Sequence, residues 1–268
     1  MLKVLDLFSG IGGFSLGLER TGGFETVAFC EIEKFPQKVL AKHWPGVPIY
    51  EDVKELTAER LAADGITGIS VITGGFPCQD LSIAGKQSGI NAERSGLWTE
   101  LARLIGELRP QYAIVENVTA LLSGESGRWF QRVLGDLAEI RYDCEWHCIP
   151  ASSVGAIHDR DRVWVIAYPN KIGSRNGFNY IRRNKLLYGL ERFTEKSEPK
   201  WERVLGGIRE NFQTRNWELL KARVRGMDDG LPSEMDRARC SGLGNAVVPQ
   251  IPELIGRAIL EAAHDSQG

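Results

Sequence analysis

The sequence lacks both a long apolar run and a cysteine framework. No apolar run approaches the roughly 18 residues of a membrane-spanning helix, and the first ten residues, MLKVLDLFSG, do not have the pattern of a signal peptide. The five cysteines are an odd number without framework spacing. These absences exclude membrane proteins and disulfide-rich secreted proteins, and we expect a protein of a reducing, cytoplasmic compartment.

The sequence also lacks a large excess of either charge, because 33 basic side chains are balanced by 35 acidic ones and the formal net charge is −2. The charges are nevertheless unevenly distributed. Residues 1–170 have 16 basic and 22 acidic side chains, whereas residues 171–225 have 14 basic and 6 acidic ones. A basic segment in an acidic chain is typical of an insert that binds a polyanion, and equally of a solvated loop. Charge alone leaves both interpretations open.

The first 170 residues do contain a regular alternation of apolar strand patterns and amphipathic helix patterns. This alternation predicts an α/β fold with a doubly wound, mostly parallel sheet. The predicted strands cover residues 3–6, 26–30, 49–50, 69–73, 112–115, 145–149 and 163–167. The predicted helices run from a glycine-rich turn to about residue 20 and over residues 34–43, 55–63, 96–108, 128–140 and 252–263.

The alternation stops after residue 169, where Asn, Gly, Arg, Lys and Tyr become frequent. We predict an α/β domain formed by residues 1–169 together with residues 226–268. A small basic insert at residues 170–225 interrupts this domain, and the last predicted helix returns to it.

Acidic residues end three consecutive predicted strands. Asp6 ends the first and precedes the turn Ser9-Gly10-Ile11-Gly12-Gly13, while Glu31 and Asp52 end the next two. The backbone N–H groups of such a turn can face a ligand, Glu31 can accept both hydroxyls of a ribose, and Asp52 can accept an adenine amine. A nucleotide-like ligand therefore fits this sheet edge, and polar strand ends that face water are the alternative.

A cysteine follows the fourth predicted strand, behind a proline, in the motif Gly75-Phe76-Pro77-Cys78. Such a thiol is presented to a ligand, as a covalent nucleophile must be, although most Pro-Cys pairs are structural. Glu116 stands at the tip of the neighbouring strand and favours the nucleophile interpretation. A thiol and a carboxyl group together can attack C6 of a pyrimidine while holding its N3.

Two further groups have competing interpretations. Arg160 and Arg162 precede the last predicted strand and point to one side, where they can hold a carbonyl oxygen or a phosphate, or form surface charge. Cys144, His147 and Cys148 lie on one predicted strand without a second ligand pair, so we predict core packing for them and no metal site.

In this order, these motifs resemble the DNA cytosine-5 methyltransferases of bacteria and phages. The resemblance covers about residues 1–168 and 240–262. The matching segments are residues 6–14, 75–82, 85–87, 94–97, 116–118, 160–162 and 244–247, together with Glu31 and Asp52.

The resemblance implies a Rossmann-like methyltransferase fold with S-adenosylmethionine as the methyl donor. The residues that it places at the cofactor are Asp6, Phe8, Ser9, Gly10, Gly12, Gly13, Glu31, Ile32, Asp52, Val53, Pro77, Leu97, Asn245 and Val247. The chain departs from this family pattern at two positions. Ile32 replaces an aromatic residue that many members stack on adenine, and His158 replaces a glutamine before Arg160.

The resemblance also implies a covalent mechanism on cytosine. Cys78 would add to C6, Glu116 would engage N3 and the exocyclic amine, and Arg162 would hold the C2 oxygen with support from Arg160. C5 would then accept the methyl group before Cys78 is eliminated. The base must leave the double helix to reach such a site.

Double-stranded DNA is the implied partner. The residues expected to contact it are Ser82, Lys86, Gln87 and Arg94 in a closing loop and Arg182, Arg183 and Lys185 in the insert. At about 55 residues the insert is short for a target-recognition region. We expect a cytoplasmic monomer of a bacterial or phage restriction-modification system.

Three alternatives remain beside this interpretation. A tRNA methyltransferase of the same family would use the same Cys78 and Glu116. A catalytically silent DNA-binding protein is disfavoured by the intact Cys78, Glu116 and Arg162. An NAD-dependent dehydrogenase would use the glycine turn but would leave Cys78 and Glu116 without a role.

Overall fold

A seven-stranded sheet is the centre of the fold. The computed structural model describes residues 1–76, 96–156, 160–170 and 242–265. The strands are β1 Leu2–Leu7, β2 Phe24–Cys30, β3 Ile49–Tyr50, β4 Val71–Gly74, β5 Tyr112–Val118, β6 Tyr142–Pro150 and β7 Asp161–Pro169. Their spatial order is β3-β2-β1-β4-β5-β7-β6.

The direction of the strands changes at one edge of the sheet. β1 to β5 are parallel to one another, whereas β7 runs antiparallel to both β5 and β6. The predicted mostly parallel sheet is therefore confirmed. The strand directions matter for function, because β7 begins beside the point where β5 ends, and Arg162 pairs with Val118.

Helices cover both faces of the sheet. They are α1 Gly13–Glu19, α2 Lys34–His43, α3 Ala58–Ala63, α4 Gly96–Leu108, α5 Ala120–Ser123, α6 Arg128–Glu139 and α7 Gln250–Asp265. On one face, the core includes Leu61 of α3, Leu104 of α4 and Val133 of α6. On the other face, Phe14 of α1 and Ile255 of α7 pack against the sheet. This two-sided covering confirms the doubly wound architecture.

Small residues let α7 and the segment before it approach α1 closely. A Cβ atom at Gly17 would lie 2.1 Å from the carbonyl oxygen of Pro249, and one at Gly13 would lie 2.5 Å from that of Val247. Arg20 and Glu253 add an ion pair of 3.9 Å between the two helices. The last described segment therefore packs against the helix that follows the glycine turn.

The described residues contain no helix that combines the length and the apolar character needed to span a membrane. The predicted insert lies outside the described residues, except for Asn170.

Candidate active site

A cavity of about 670 Å³ opens at the carboxyl ends of the parallel strands. Its wall includes residues from two sets that were predicted separately, the cofactor residues and the catalytic residues. The predicted site residues that line it are Phe8, Gly10, Glu31, Ile32, Asp52, Val53, Leu97, Glu116, Arg160, Arg162 and Asn245. One cavity therefore brings together most of the predicted residues that the structure describes.

Glu31 is fixed by two backbone N–H groups. Gly10 N donates to Oε2 of Glu31 at 2.7 Å, and Glu33 N donates to Oε1 at 2.8 Å. The Glu31 side chain is buried, and Gly10 takes the positive φ of 52° that the turn requires. Because each carboxylate oxygen has a further lone pair, Glu31 can still accept hydrogen bonds from a ligand.

Asp6 does not line the cavity, contrary to the expectation that it lies beside Glu31 and Asp52 at the open edge. Its side chain is fully buried, where Oδ1 accepts from Thr73 Oγ1 at 2.7 Å and Oδ2 accepts from Ser15 Oγ at 2.8 Å. Burial raises the pKa of Asp6 to about 7, and the two hydroxyl hydrogen bonds oppose this rise. Asp6 therefore braces β1 against β4 and α1.

Four other residues predicted at the cofactor do not line the cavity. They are Ser9, Gly12, Gly13 and Val247. Ser9 Oγ donates to the carbonyl oxygen of Asp6 at 2.6 Å. Gly12 and Gly13 have no room for a side chain, because Trp44 packs against the first and Val247 against the second. These residues shape the turn that carries Gly10.

The outer end of the cavity is lined by Asp52, Val53, Ile32 and Phe35. The Asp52 carboxylate accepts from Lys54 N at 2.9 Å. Ile32 is 67% exposed, and Phe35, three residues further along the chain, supplies an aromatic ring to the same wall. An aromatic side chain is thus present at this end although Ile32 replaces the expected one.

Buried Glu116 and half-buried Arg162 form an ion pair in the cavity wall. Arg162 Nε lies 2.9 Å from Glu116 Oε1, and the Glu116 residue is only 9% exposed. Burial raises the pKa of Glu116, while Arg162 and Arg160 oppose this rise. A Cβ atom at Gly75 would lie 3.1 Å from Glu116 Oε2, so the glycine leaves the second oxygen accessible from that side.

Arg160 has different contacts from Arg162. Its guanidinium donates through Nη1 to the carbonyl oxygen of Gly244, whereas Arg162 Nη1 donates to the carbonyl oxygen of Asp161 at 2.8 Å. Burial lowers the pKa of Arg160, as does the neighbouring charge of Arg162. The two arginines therefore face the same cavity but hold different parts of the protein.

Asn117 connects β5 to the chain that leads into the cysteine motif. Its Nδ2 donates to the carbonyl oxygen of Phe76 at 3.2 Å, and its Oδ1 accepts from Val118 N at 2.8 Å. Phe76 is the last described residue of the motif Gly75-Phe76-Pro77-Cys78 before residue 96. The predicted site residues outside the described residues are Pro77, Cys78, Ser82, Lys86, Gln87, Arg94, Arg182, Arg183 and Lys185.

The sequence model of the C-5 cytosine-specific DNA methylase family matches residues 2–172. The chain belongs to this family. The match includes β1 to β7, and therefore both ends of the cavity except the segment that contributes Gly242 and Asn245.

Named relatives agree with the family. The chain is 36% identical over 170 residues to the Type II methyltransferase M2.BsuMI of Bacillus subtilis, with 62% of this chain and 42% of that protein covered. It is 32% identical over 206 residues to the Type II methyltransferase M.HgiBI of Herpetosiphon aurantiacus, with 75% and 46% covered. The chain therefore spans less than half the length of these two relatives.

A solved structure supports the same fold. The crystal structure of a protein described as a DNA modification methyltransferase encoded within an E. coli prophage has a TM-score of 0.55 and 29% identity to this chain. The alignment covers 63% of this chain and 47% of the prophage protein.

Ten residues of the cavity wall are not among the predicted site residues, although four of them lie in motifs that the sequence analysis names. They are Cys30, Glu33, Phe35, Pro36, Glu51, Gly75, Phe76, Asn117, Val118 and Gly242. Five of them, Cys30, Glu33, Glu51, Phe76 and Asn117, immediately adjoin a predicted site residue, and that position was the available signal. Phe35 and Gly242 lacked this signal, because the fold alone brings them to the cavity.

The possible metal ligands on β6 differ in how deeply they are buried. Cys144 is half-buried and packs against the core, whereas Cys148 is exposed. Core packing is therefore wrong for Cys148. No group of three His, Cys, Asp or Glu side chains suited to a metal ion occurs among the described residues.

Proposed function

We propose that this chain is a DNA cytosine-5 methyltransferase that uses S-adenosylmethionine. The observation that supports this proposal best is that Glu31 and the Glu116–Arg162 pair line one cavity. The first fits the ribose of the cofactor and the second fits the edge of a pyrimidine. Phe76 lines the same cavity and precedes Cys78 by two residues in the chain.

The cavity fits the cofactor in size and chemistry. Its volume of about 670 Å³ is typical of small-molecule sites. A Cβ atom at Gly10 would meet nothing within 4 Å, so a ligand can approach the turn. Glu31 would accept the ribose hydroxyls, Asp52 the adenine amine, and Phe35 with Ile32 would cover the adenine. S-adenosylmethionine supplies an electrophilic methyl group when bound.

Glu116 and Arg162 would hold the target cytosine. Burial raises the pKa of Glu116 and so makes the carboxyl group easier to protonate, and a protonated Glu116 would donate to N3 and draw electrons from the ring. Arg162 has five N–H donors, and those beyond the Nε that serves Glu116 can reach the C2 oxygen. Together the two side chains would activate C6 towards a nucleophile.

Cys78 would be that nucleophile. Its thiolate forms a bond to C6 while the electrons of the C5–C6 double bond move to C5 and the N3 side of the ring. C5 would then take the methyl group as the bond of that group to the cofactor sulfur breaks, which leaves S-adenosylhomocysteine. A base would remove the proton from C5, and N3 would return its proton to Glu116. Elimination of the Cys78 sulfur from C6 restores the double bond and the free thiolate.

Double-stranded DNA would bind across the cavity mouth, with its target base flipped out. We propose that the loop residues Ser82 to Arg94 and the basic segment 170–225 contact it. Each phosphate that a basic side chain neutralises contributes a slope of about −0.9 to the salt dependence of binding. Replacing Arg182, Arg183 and Lys185 together by Ala should therefore weaken DNA binding and flatten this dependence, without changing cofactor binding. An unchanged salt slope would remove the three residues from the DNA contact.

Bisulfite sequencing of DNA from cells that express the chain tests the proposal. Protection of cytosines within one short sequence, and its loss in a Cys78→Ser variant, is the expected result. Unprotected DNA together with methylated tRNA from the same cells would instead identify a tRNA methyltransferase.

A further inference from the structure

Arg160 joins two parts of the site that are far apart in the sequence. It lies immediately before β7, and its guanidinium donates to the carbonyl oxygen of Gly244, 84 residues later. Gly244 belongs to a helical turn at residues 242–245, from which Gly242 and Asn245 line the cavity. Arg160 therefore connects the base end of the cavity to the segment that supplies part of its cofactor end.

The helical turn at 242–245 has few other contacts that could fix it. An added Cβ atom at Gly242 would lie 3.3 Å from the ring of Phe35, while Leu243 is 67% exposed. Ala246 N donates to the carbonyl oxygen of Leu243, a bond within the same segment. Within the described parts of the chain, the bond from Arg160 is the one hydrogen bond that joins residues 242–245 to another element.

The neighbouring arginine gives the contrast. Arg162 pairs with Glu116 at 2.9 Å, where the target base is proposed to bind. Arg160 is half-buried and directs Nη1 to the carbonyl oxygen of Gly244, in a distant segment, whereas Arg162 Nη1 donates to the adjacent residue Asp161. A hydrogen bond from a charged donor is stronger than one between neutral groups, so its loss should release the turn.

We propose that Arg160 is a positioning residue for the cofactor, which holds the turn 242–245 so that Asn245 faces the cavity. This inference rests on the proposed function, since it assigns the cavity to S-adenosylmethionine. It separates the two arginines by role: Arg160 acts on cofactor affinity through Asn245, and Arg162 acts on the rate through Glu116.

Hydrogen exchange and calorimetry on the full chain test this separation, with S-adenosylhomocysteine as the ligand. In the Arg160→Ala variant, the amides of residues 242–249 should exchange at least about tenfold faster without ligand, and the Kd for S-adenosylhomocysteine should rise about tenfold. Arg160→Lys keeps one charged donor and should restore most of both values. Arg162→Ala is the matched control and should change neither.

The proposal is overturned if Arg160→Ala leaves exchange at 242–249 and the Kd within twofold of the parent. It is also overturned if the Arg162→Ala control changes both to the same extent. Should the alanine variant not fold, Arg160→Gln, which keeps an uncharged donor, takes its place with the same expected direction. A parent chain that does not bind S-adenosylhomocysteine would contradict the proposed function, while the exchange data would still decide whether Arg160 holds the turn.

Discussion

The two ends of the cavity hold their carboxylates by different means. At the end proposed to bind the cofactor, both oxygens of Glu31 accept hydrogen bonds from backbone N–H groups, of Gly10 at 2.7 Å and of Glu33 at 2.8 Å. At the end proposed to bind the base, a side chain, Arg162, holds Glu116 at 2.9 Å. Two backbone N–H groups fix the position of a carboxylate, whereas an ion pair with a side chain also shifts the pKa of the acid. The first arrangement suits binding and the second suits chemistry.

The strand directions explain this difference. β1 and β2 are parallel, so their carboxyl ends and the following turns meet, and backbone N–H groups are available there. β7 is antiparallel to β5, so its first residues lie beside the last residues of β5. A charged side chain near the start of β7 can therefore pair with one near the end of β5. If this account is right, changes at one end should affect binding and changes at the other should affect rate.

Removing the nucleophile should have the largest effect. In Cys78→Ser, methyl transfer should fall to the background, because a hydroxyl is a far weaker nucleophile than a thiolate, while the Kd for S-adenosylmethionine stays unchanged. Covalent trapping with DNA that contains 5-fluorocytosine measures this directly. Cys148→Ser, a replacement of an exposed cysteine on β6, is the control that should trap normally. An adduct in the Cys78→Ser variant would refute the assignment.

Glu116→Gln should have the next largest effect and should act on rate alone. The amide cannot transfer a proton to N3, so kcat should fall by about 10²- to 10⁴-fold. Calorimetry should give an unchanged Kd for the cofactor. Glu139→Gln, on the exposed side of α6, is the matched control and should keep full activity. A loss of cofactor affinity equal to the loss of rate would show that the two ends are not separable.

Glu31→Ala should act on binding alone. The ribose would lose a charged acceptor, which weakens cofactor binding by roughly 1.5–3 kcal/mol, or about ten- to a hundredfold in Kd. At saturating cofactor, kcat should remain close to that of the parent. Glu25→Ala, at an exposed position on β2, the strand that precedes Glu31, removes the same charge and should change nothing. An unchanged Kd in Glu31→Ala would remove Glu31 from the cofactor site.

The smallest effect should come from Asp6, which supports the glycine turn from below. Its pKa is about 7 in the folded state against an ordinary value of 3.8, so the folded state binds more protons between these values. Stability from this group is therefore fully present below pH 4 and is lost as the pH rises through 7, by up to about 1.4 kcal/mol per pH unit. Asp6→Asn removes the titration.

Thermal unfolding at pH 5.5 and pH 8 compares the parent with Asp6→Asn. The Tm of the variant relative to that of the parent should increase from the lower to the higher pH. A constant difference in Tm between the two pH values would mean that Asp6 does not titrate in this range.

Strong periodicity made some elements predictable from the sequence. The predicted bounds of α2, α4 and β3 are confirmed, because each lies between clear breaks in the apolar pattern. The predicted helix 55–63 starts later, at Ala58, because Thr57 caps it by accepting from Arg60 N at 3.2 Å. The cap residue was the signal for that start.

Long-range pairing could not be deduced from the sequence. The apolar pattern ends at Val115, but β5 continues to Val118 because β7 pairs with it as far as Arg162. Glu116 and Asn117 are therefore within a paired strand and not beyond its tip. Similarly, Asp6 looked like an open strand end, and only the fold shows that Thr73, 67 residues away, meets its carboxyl group.

The most direct test of the account is the identity of the methylated atom. Purified chain is incubated with duplex DNA and S-adenosylmethionine that carries a labelled methyl group, and the DNA is digested to nucleosides for mass spectrometry. The proposal that Cys78 acts at the cavity lined by Glu31 and Glu116 predicts label in 5-methyl-2′-deoxycytidine, and none in the Cys78→Ser variant. Label in an N-methylated cytosine or adenine would contradict the account.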